Sequence, residues 1–153
     1  MAKLGNPQNT IEILQKYGFQ FQKKFGQNFL IDEHVFDKII RAAGGTKDDM
    51  VLEIGPGIGT LTQYLAEAAR EVVAVEIDKN LIPILENDTL AEYDNVTVIN
   101  EDILKVDIAA YLIIISECTA PVRFINYMTG RLVNSCGILE RSVRMTANTA
   151  MYI

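Results

Sequence analysis

Three closely spaced glycines, Gly55, Gly57 and Gly59, interrupt the most regular part of this sequence. They follow the apolar run 50–54 and precede a helix-like segment, and a second apolar run then ends in Glu76, 21 positions after Gly55. Glycines let the backbone turn sharply and approach a ligand closely. A carboxylate about 20 residues further on can accept both hydroxyls of a ribose. The pattern is typical of half of a nucleotide-binding α/β unit, and it predicts an adenosine-type cofactor.

The spacing of the glycines indicates which cofactor. The dinucleotide fingerprint is G-x-G-x-x-G, whereas this chain has G-x-G-x-G followed by Thr60. Glu53 precedes the first glycine by two positions, where a carboxylate is unfavourable beside a pyrophosphate but suits a ligand that carries an ammonium and a sulfonium. We therefore predict S-adenosyl-L-methionine as the cofactor. Two alternatives remain open: an NAD-dependent oxidoreductase half-domain, and a structural domain whose tight turn binds nothing.

Composition excludes several other classes. A chain of 153 residues, 49% of them hydrophobic, forms one domain with a real core. Its net charge of −6 argues against broad affinity for nucleic acid. The two cysteines, Cys118 and Cys136, make neither a disulfide framework nor a zinc site, so no metal is predicted. Apolar runs are too short to span a membrane and the N-terminus lacks an apolar signal core, which together predict a cytoplasmic protein with no membrane partner.

Helix-like and strand-like segments alternate along the chain. The predicted helices are 11–17, capped by Thr10, 33–43, 60–69 and a bent one from Asp78 towards Tyr93, and the predicted strands are 50–54, 71–76, 96–100 and 111–115. Short helices are predicted over 124–128 and 131–133. Such alternation implies an α/β fold with a mostly parallel sheet covered on both faces. The ligand then lies outside the carboxyl ends of the strands.

Four ordered motifs lie between residues 10 and 107. They are 24–30 (KFGQNFL), 52–62 (LEIGPGIGTLT), 75–78 (VEID) and 101–104 (EDIL). Together they resemble the ribosomal RNA adenine N6-dimethyltransferases, and the small-subunit branch, dimethyladenosine transferase, is the better match. The resemblance implies a Rossmann-like methyltransferase fold dependent on S-adenosyl-L-methionine, here incomplete, with the N-terminal half of its parallel sheet. It also implies small-subunit ribosomal RNA as the substrate.

The resemblance further implies which residues bind the cofactor: Asn28, Leu30, Gly55, Gly57, Glu76 and Asp102. Asn28 and Leu30 would contact its methionine and ribose side. Gly55 would allow close backbone approach, Glu76 would accept the ribose hydroxyls, and Asp102 would accept from the adenine amino group. No catalytic acid, base or nucleophile is predicted, because methyl transfer to an amine needs positioning more than proton transfer.

The region after the fourth predicted strand departs from the family's pattern. The family has an Asn-(Leu/Ile)-Pro-(Tyr/Phe) motif there, which holds the target adenine amine and stacks on the base. This chain has SECTAPV at 116–122, so Pro121 lacks both the amide and the aromatic residue. We therefore predict a cofactor-binding methyltransferase region at 1–107, a divergent tail at 108–153, and no methyl transfer. A non-catalytic cofactor-binding fragment is then the alternative to an active enzyme.

Overall fold

The computed structural model describes residues 3–19, 33–43, 46–107, 122–126 and 131–135. Its helices are α1 (Pro7–Lys16), α2 (Glu33–Ala43), α3 (Thr60–Ala68) and the short α4 (Ile82–Ile84), which a π-helical segment (Leu85–Thr89) continues. Its strands are β1 (Met50–Ile54), β2 (Glu71–Glu76), β3 (Val96–Asn100), β4 (Val122–Asn126) and β5 (Arg131–Ser135).

The five strands form one sheet in the order β3-β2-β1-β4-β5. β1 lies between β2 and β4 and is parallel to both, and β3 is parallel to β2, while β5 runs antiparallel to β4. Parallel neighbours need a crossover connection, which α3 supplies between β1 and β2 and α4 supplies between β2 and β3. The α/β prediction is confirmed. The carboxyl ends of four parallel strands therefore lie at one edge of the sheet.

The prediction of short helices over 124–128 and 131–133 is wrong. Strands β4 and β5 occupy these positions instead. A short apolar run fits a helix or a strand equally well. Pairing with β1 decides the outcome here, since β4 aligns Phe124 with Leu52 and gains a ladder of backbone hydrogen bonds. The strand predicted at 111–115 lies outside the described residues.

The first helix begins earlier than predicted. Pro7 lies in its first turn, and the Asn6 side chain caps it by accepting a hydrogen bond from the backbone N–H of Gln8. Asparagine at the cap followed by proline is a strong start signal. Thr10, predicted as the cap, is instead buried within α1, and its hydroxyl donates to the carbonyl oxygen of Leu4 at 2.8 Å.

The helix after β2 is shorter than predicted. Pro83 lies in the first turn of α4, and the three-residue helix then widens into the π-helical segment. Such single π turns inside helical stretches are uncommon and recur near functional sites. The bounds of α2, β1, β2 and β3 agree with the prediction, and α3 ends one residue early.

Hydrophobic residues cover both faces of the sheet. Successive residues of β1 are buried on opposite sides: Val51 packs with Phe36 and Leu61 under the helices, whereas Leu52 packs with Val73 on the other face. Burial on both faces is typical of parallel sheets. Each fully buried side chain of this size stabilises the fold by about 1.5–3 kcal/mol. The core therefore fixes the strands whose ends form the site.

Candidate cofactor site

The glycine-rich turn joins β1 to α3 at the carboxyl edge of the sheet. Gly55, Gly57 and Gly59 all have positive φ, at 72°, 63° and 87°. A side chain strains the backbone in this region, whereas glycine does not. The backbone N–H of Gly55 donates to the carbonyl oxygen of Val75 at 2.9 Å, which holds the start of the turn against β2. The conformation of the turn itself therefore requires these glycines.

The carboxylate of Glu76 lies beside this turn. Glu76 ends β2 and is 4% exposed. Its Oε2 accepts from the backbone N–H of Gly57 at 3.1 Å, and its Oε1 accepts from that of Asp78 at 2.8 Å. Burial raises the pKa of Glu76 above its ordinary value, and the backbone hydrogen bonds partly oppose that shift. Two residues predicted to bind the cofactor, Gly57 and Glu76, are thus in direct contact.

Glu53 lies beneath the turn rather than at its mouth. Its side chain is 0% exposed, and its Oε2 accepts from the hydroxyl of Thr62 at 2.7 Å. Desolvation by burial raises the pKa of Glu53 to about 7; the Thr62 hydrogen bond lowers it, and the nearby Glu76 raises it further. A buried carboxyl group with few partners makes the surroundings of the turn favourable for positive charge.

Unsatisfied polar atoms concentrate near the same turn. Within the described part of the chain, three buried side-chain atoms have no hydrogen-bond partner: Glu53 Oε1, Thr60 Oγ1 and an Nη of Arg70. The first two flank the glycine-rich turn in sequence, and Arg70 precedes β2. Buried polar groups usually have partners, so each exception calls for a physical explanation. Glu53 Oε1 lies inside the protein, so a ligand at the turn can act on this carboxyl group only through its charge.

Asp102 lies in the loop that follows β3. It is half-buried, and its Oδ1 accepts from the backbone N–H of Leu104 at 3.0 Å. Asn100, two residues earlier, pairs with Glu76 in the sheet register, and its side-chain amide donates to the carbonyl oxygen of Glu76 at 2.7 Å. Asp102 therefore follows the strand end next to Glu76. Ile77, 51% exposed, leaves an apolar surface directly after that carboxylate.

The remaining predicted contacts, Asn28 and Leu30, lie outside the described residues. The structure also draws attention to two residues that the sequence analysis missed. Ile77 is one, and an apolar residue directly after a strand-end acid was the available signal. Asn126 is the other: it is the last residue of β4 and is aligned with Ile54, next to the turn. The mistaken helix prediction over this region concealed it.

The described part of the chain contains neither a candidate metal site nor a membrane-spanning helix. No group of three or more His, Cys, Asp or Glu side chains there could hold a metal ion. No helix in the same residues is long and apolar enough to cross a membrane.

A mostly parallel sheet with a glycine-rich turn and a strand-end carboxylate is the arrangement of Rossmann-like domains. The family model described as ribosomal RNA adenine dimethylase matches residues 18–134. The chain belongs to this family. The predicted family is confirmed, and so is the predicted Rossmann-like methyltransferase fold. The match extends past residue 107, where the sequence resemblance stops, and includes β4 and all but the last residue of β5.

Two relatives show how far the similarity reaches. The chain is 79% identical over 108 residues to ribosomal RNA small subunit methyltransferase A of Lachnoclostridium phytofermentans, which covers 71% of this chain and 37% of the relative. It is 45% identical over 152 residues to the protein of the same name from Macrococcus caseolyticus, covering 97% of this chain and 50% of that one. The chain thus spans between about a third and a half of the length of these relatives.

Two solved structures are also similar. A dimethyladenosine transferase from Plasmodium falciparum is 26% identical, with a TM-score of 0.46, over 61% of this chain and 41% of that one. The 23S rRNA methyltransferase ErmE is 29% identical, with a TM-score of 0.49, over 65% of this chain and 48% of its own.

Proposed function

We propose that the carboxyl edge of this sheet binds S-adenosyl-L-methionine and that Glu76 accepts its two ribose hydroxyls. The position of Glu76 is the observation that carries this proposal. Backbone N–H groups of Gly57 and Asp78 already hold one carboxylate oxygen each. A carboxylate has about four acceptor sites, so acceptor capacity remains beside the backbone N–H groups of Gly57, Asp78 and Ile77. The group is thereby oriented before any ligand arrives.

Other residues at this edge suit the remaining parts of the ligand. Asp102 follows the neighbouring strand end and can accept from an adenine amino group. Ile77 offers an apolar surface to the face of the base. Asn28 and Leu30 stay as predicted contacts on the methionine and ribose side.

Glu53 favours this cofactor over a nicotinamide dinucleotide. Its buried carboxyl group lies beneath the turn, where a pyrophosphate would add negative charge. A ligand with an ammonium and a sulfonium brings positive charge instead, which favours the ionised carboxylate. Because Glu53 is fully buried, it acts through its electrostatic potential.

We propose, from membership in the family, that the complete protein dimethylates an adenine amine of small-subunit ribosomal RNA in the cytoplasm. The cofactor, when bound, supplies an electrophilic methyl group. The complete protein must then hold the attacking amine in line with that group. Asn126 ends β4 beside the turn and is a candidate for that contact. It is followed directly by Tyr127, without the two residues that separate amide and aromatic ring in the family's motif.

The binding proposal is tested by calorimetric titration of the purified chain with S-adenosylhomocysteine and, separately, with NAD. We expect the first to bind and NAD not to bind. Glu76→Ala should weaken binding by about tenfold or more, because two hydroxyls lose a charged acceptor. Glu71→Ala is the matched control, since Glu71 lies at the opposite end of the same strand. Binding of NAD alone, or equal affinity of both variants, would contradict the proposal.

A further inference from the structure

A buried glutamine joins three separate parts of the chain behind the glycine-rich turn. Gln63 lies in the first half of α3 and is 0% exposed. Its Nε2 donates to the carbonyl oxygen of Thr89 at 2.9 Å, and its Oε1 accepts from the backbone N–H of Leu4 at 3.0 Å. The amide thus connects the N-terminal segment, α3 and the π-helical segment. Losing one partner of a buried hydrogen bond leaves the other unsatisfied, which is costly.

The π-helical segment packs directly against the glycine-rich turn. The backbone N–H of Gln63 donates to the carbonyl oxygen of Gly59 at 3.1 Å. A Cβ placed on Gly59 would lie 3.0 Å from Leu85 Cδ2 and 3.2 Å from both Leu90 Cδ2 and Thr89 Oγ1. Little space therefore separates the turn from the segment that Gln63 fixes. Moving Thr89 would move the support of Gly59.

The N-terminal segment, residues 3–10, also packs against the glycine-rich turn. Leu4 is 1% exposed and belongs to one buried cluster with Ile58, the residue between the second and third glycines. The side-chain amide of Asn9 donates to the carbonyl oxygen of Lys3 at 2.7 Å, and the Thr10 hydroxyl donates to that of Leu4 at 2.8 Å. These bonds hold the backbone of residues 3–4 in place. The Leu4 N–H is therefore presented to Gln63 in a fixed position.

We propose that Gln63 is a positioning residue for cofactor binding, and that its amide couples docking of residues 3–10 to the geometry of the glycine-rich turn. Gln63 acts from behind the turn, through Gly59 and Ile58. This inference rests on the proposed cofactor function. It extends the binding apparatus to an N-terminal segment that the sequence analysis gave no role.

The test compares affinity for S-adenosylhomocysteine with stability in matched variants. Gln63→Leu removes the side-chain hydrogen bonds to Thr89 and Leu4 at similar volume, and we expect affinity to fall by about tenfold. Asn95→Ala is the control: the Asn95 amide donates to the carbonyl oxygens of Ala66, Ala69 and Arg70 at the far end of α3. It should reduce stability and leave affinity within twofold.

The outcomes separate the two proposals. If the unmodified chain does not bind S-adenosylhomocysteine, both fail. If it binds and folded Gln63→Leu binds equally well, only the positioning role is overturned. Equal losses of affinity in Asn95→Ala and Gln63→Leu also overturn it, because they would reflect general destabilisation. If Gln63→Leu does not fold, Thr10→Val releases the carbonyl oxygen of Leu4 in a milder way. A threefold or greater loss of affinity then supports the role, and unchanged affinity refutes it.

Discussion

Replacing Glu53 with glutamine should reduce the pH dependence of stability between about pH 4.5 and pH 7. Burial raises the pKa of this carboxyl from 4.5 to about 7. Each pKa unit corresponds to about 1.4 kcal/mol. Ionising Glu53 in the folded state therefore costs about 3 kcal/mol relative to the unfolded chain, as an order of magnitude.

The sign of the effect follows from the direction of the shift. A carboxyl with a raised pKa in the folded state binds more protons when folded than when unfolded. Its contribution is fully favourable below pH 4.5 and is lost as the pH rises through about 7. The unmodified chain should thus become less stable over that range. Glu76 also has a raised pKa, so a smaller slope of the same sign should persist in Glu53→Gln.

Urea unfolding at several pH values between 5 and 8.5 measures this slope. Glu71→Gln, a half-buried carboxyl at the other end of β2, serves as the control and should follow the unmodified chain. In Glu53→Gln, an amide nitrogen without an acceptor at this buried position costs about 1–3 kcal/mol at every pH. This cost lowers the whole curve of stability against pH and leaves its slope unchanged, so the slope is the quantity that tests the prediction. If Glu53→Gln and the unmodified chain give parallel curves, Glu53 is ionised in the fold without penalty and the reasoning is refuted.

Two further predictions concern the turn and the reaction. Gly59→Ala should destabilise the fold by more than Gly18→Ala in urea unfolding. At both positions φ is positive, so an alanine incurs about 1–2 kcal/mol of backbone strain. Only the Cβ at position 59 would also meet Leu85 and Leu90, whereas a Cβ at position 18 has nothing within 4 Å. Equal losses of stability would show that Leu85 and Leu90 move aside at little cost. Separately, the purified chain should transfer no labelled methyl group to under-methylated small ribosomal subunits. Around Pro121 it lacks the amide and the aromatic residue that hold the adenine amine in the family, and misplacing an attacking atom by an ångström can cost about a hundredfold. Dimethyladenosine in the RNA digest would contradict this.

The sequence predicted the elements whose local signals agree with their surroundings. The bounds of β1, β2 and β3 follow from apolar runs ended by glycine or polar residues, and the turn follows from its glycines. The prediction failed where distant pairing decides the structure. Residues 122–126 become a strand because β1 offers them an open edge, and no local pattern carries that information. The π-helical segment is similar, since its packing against Gly59 is a tertiary contact.

The candidate site shows the same division. Gly57 and Glu76 were predicted separately, and the structure brings them within hydrogen-bond distance. The burial of Glu53 was not predictable, because its residue type suggests an exposed carboxylate. A leucine there would avoid both the raised pKa and the unsatisfied oxygen, so folding alone does not account for this residue. Local costs of this kind are expected at functional sites. The position of Glu53 beneath the glycines therefore supports a positively charged ligand at the turn.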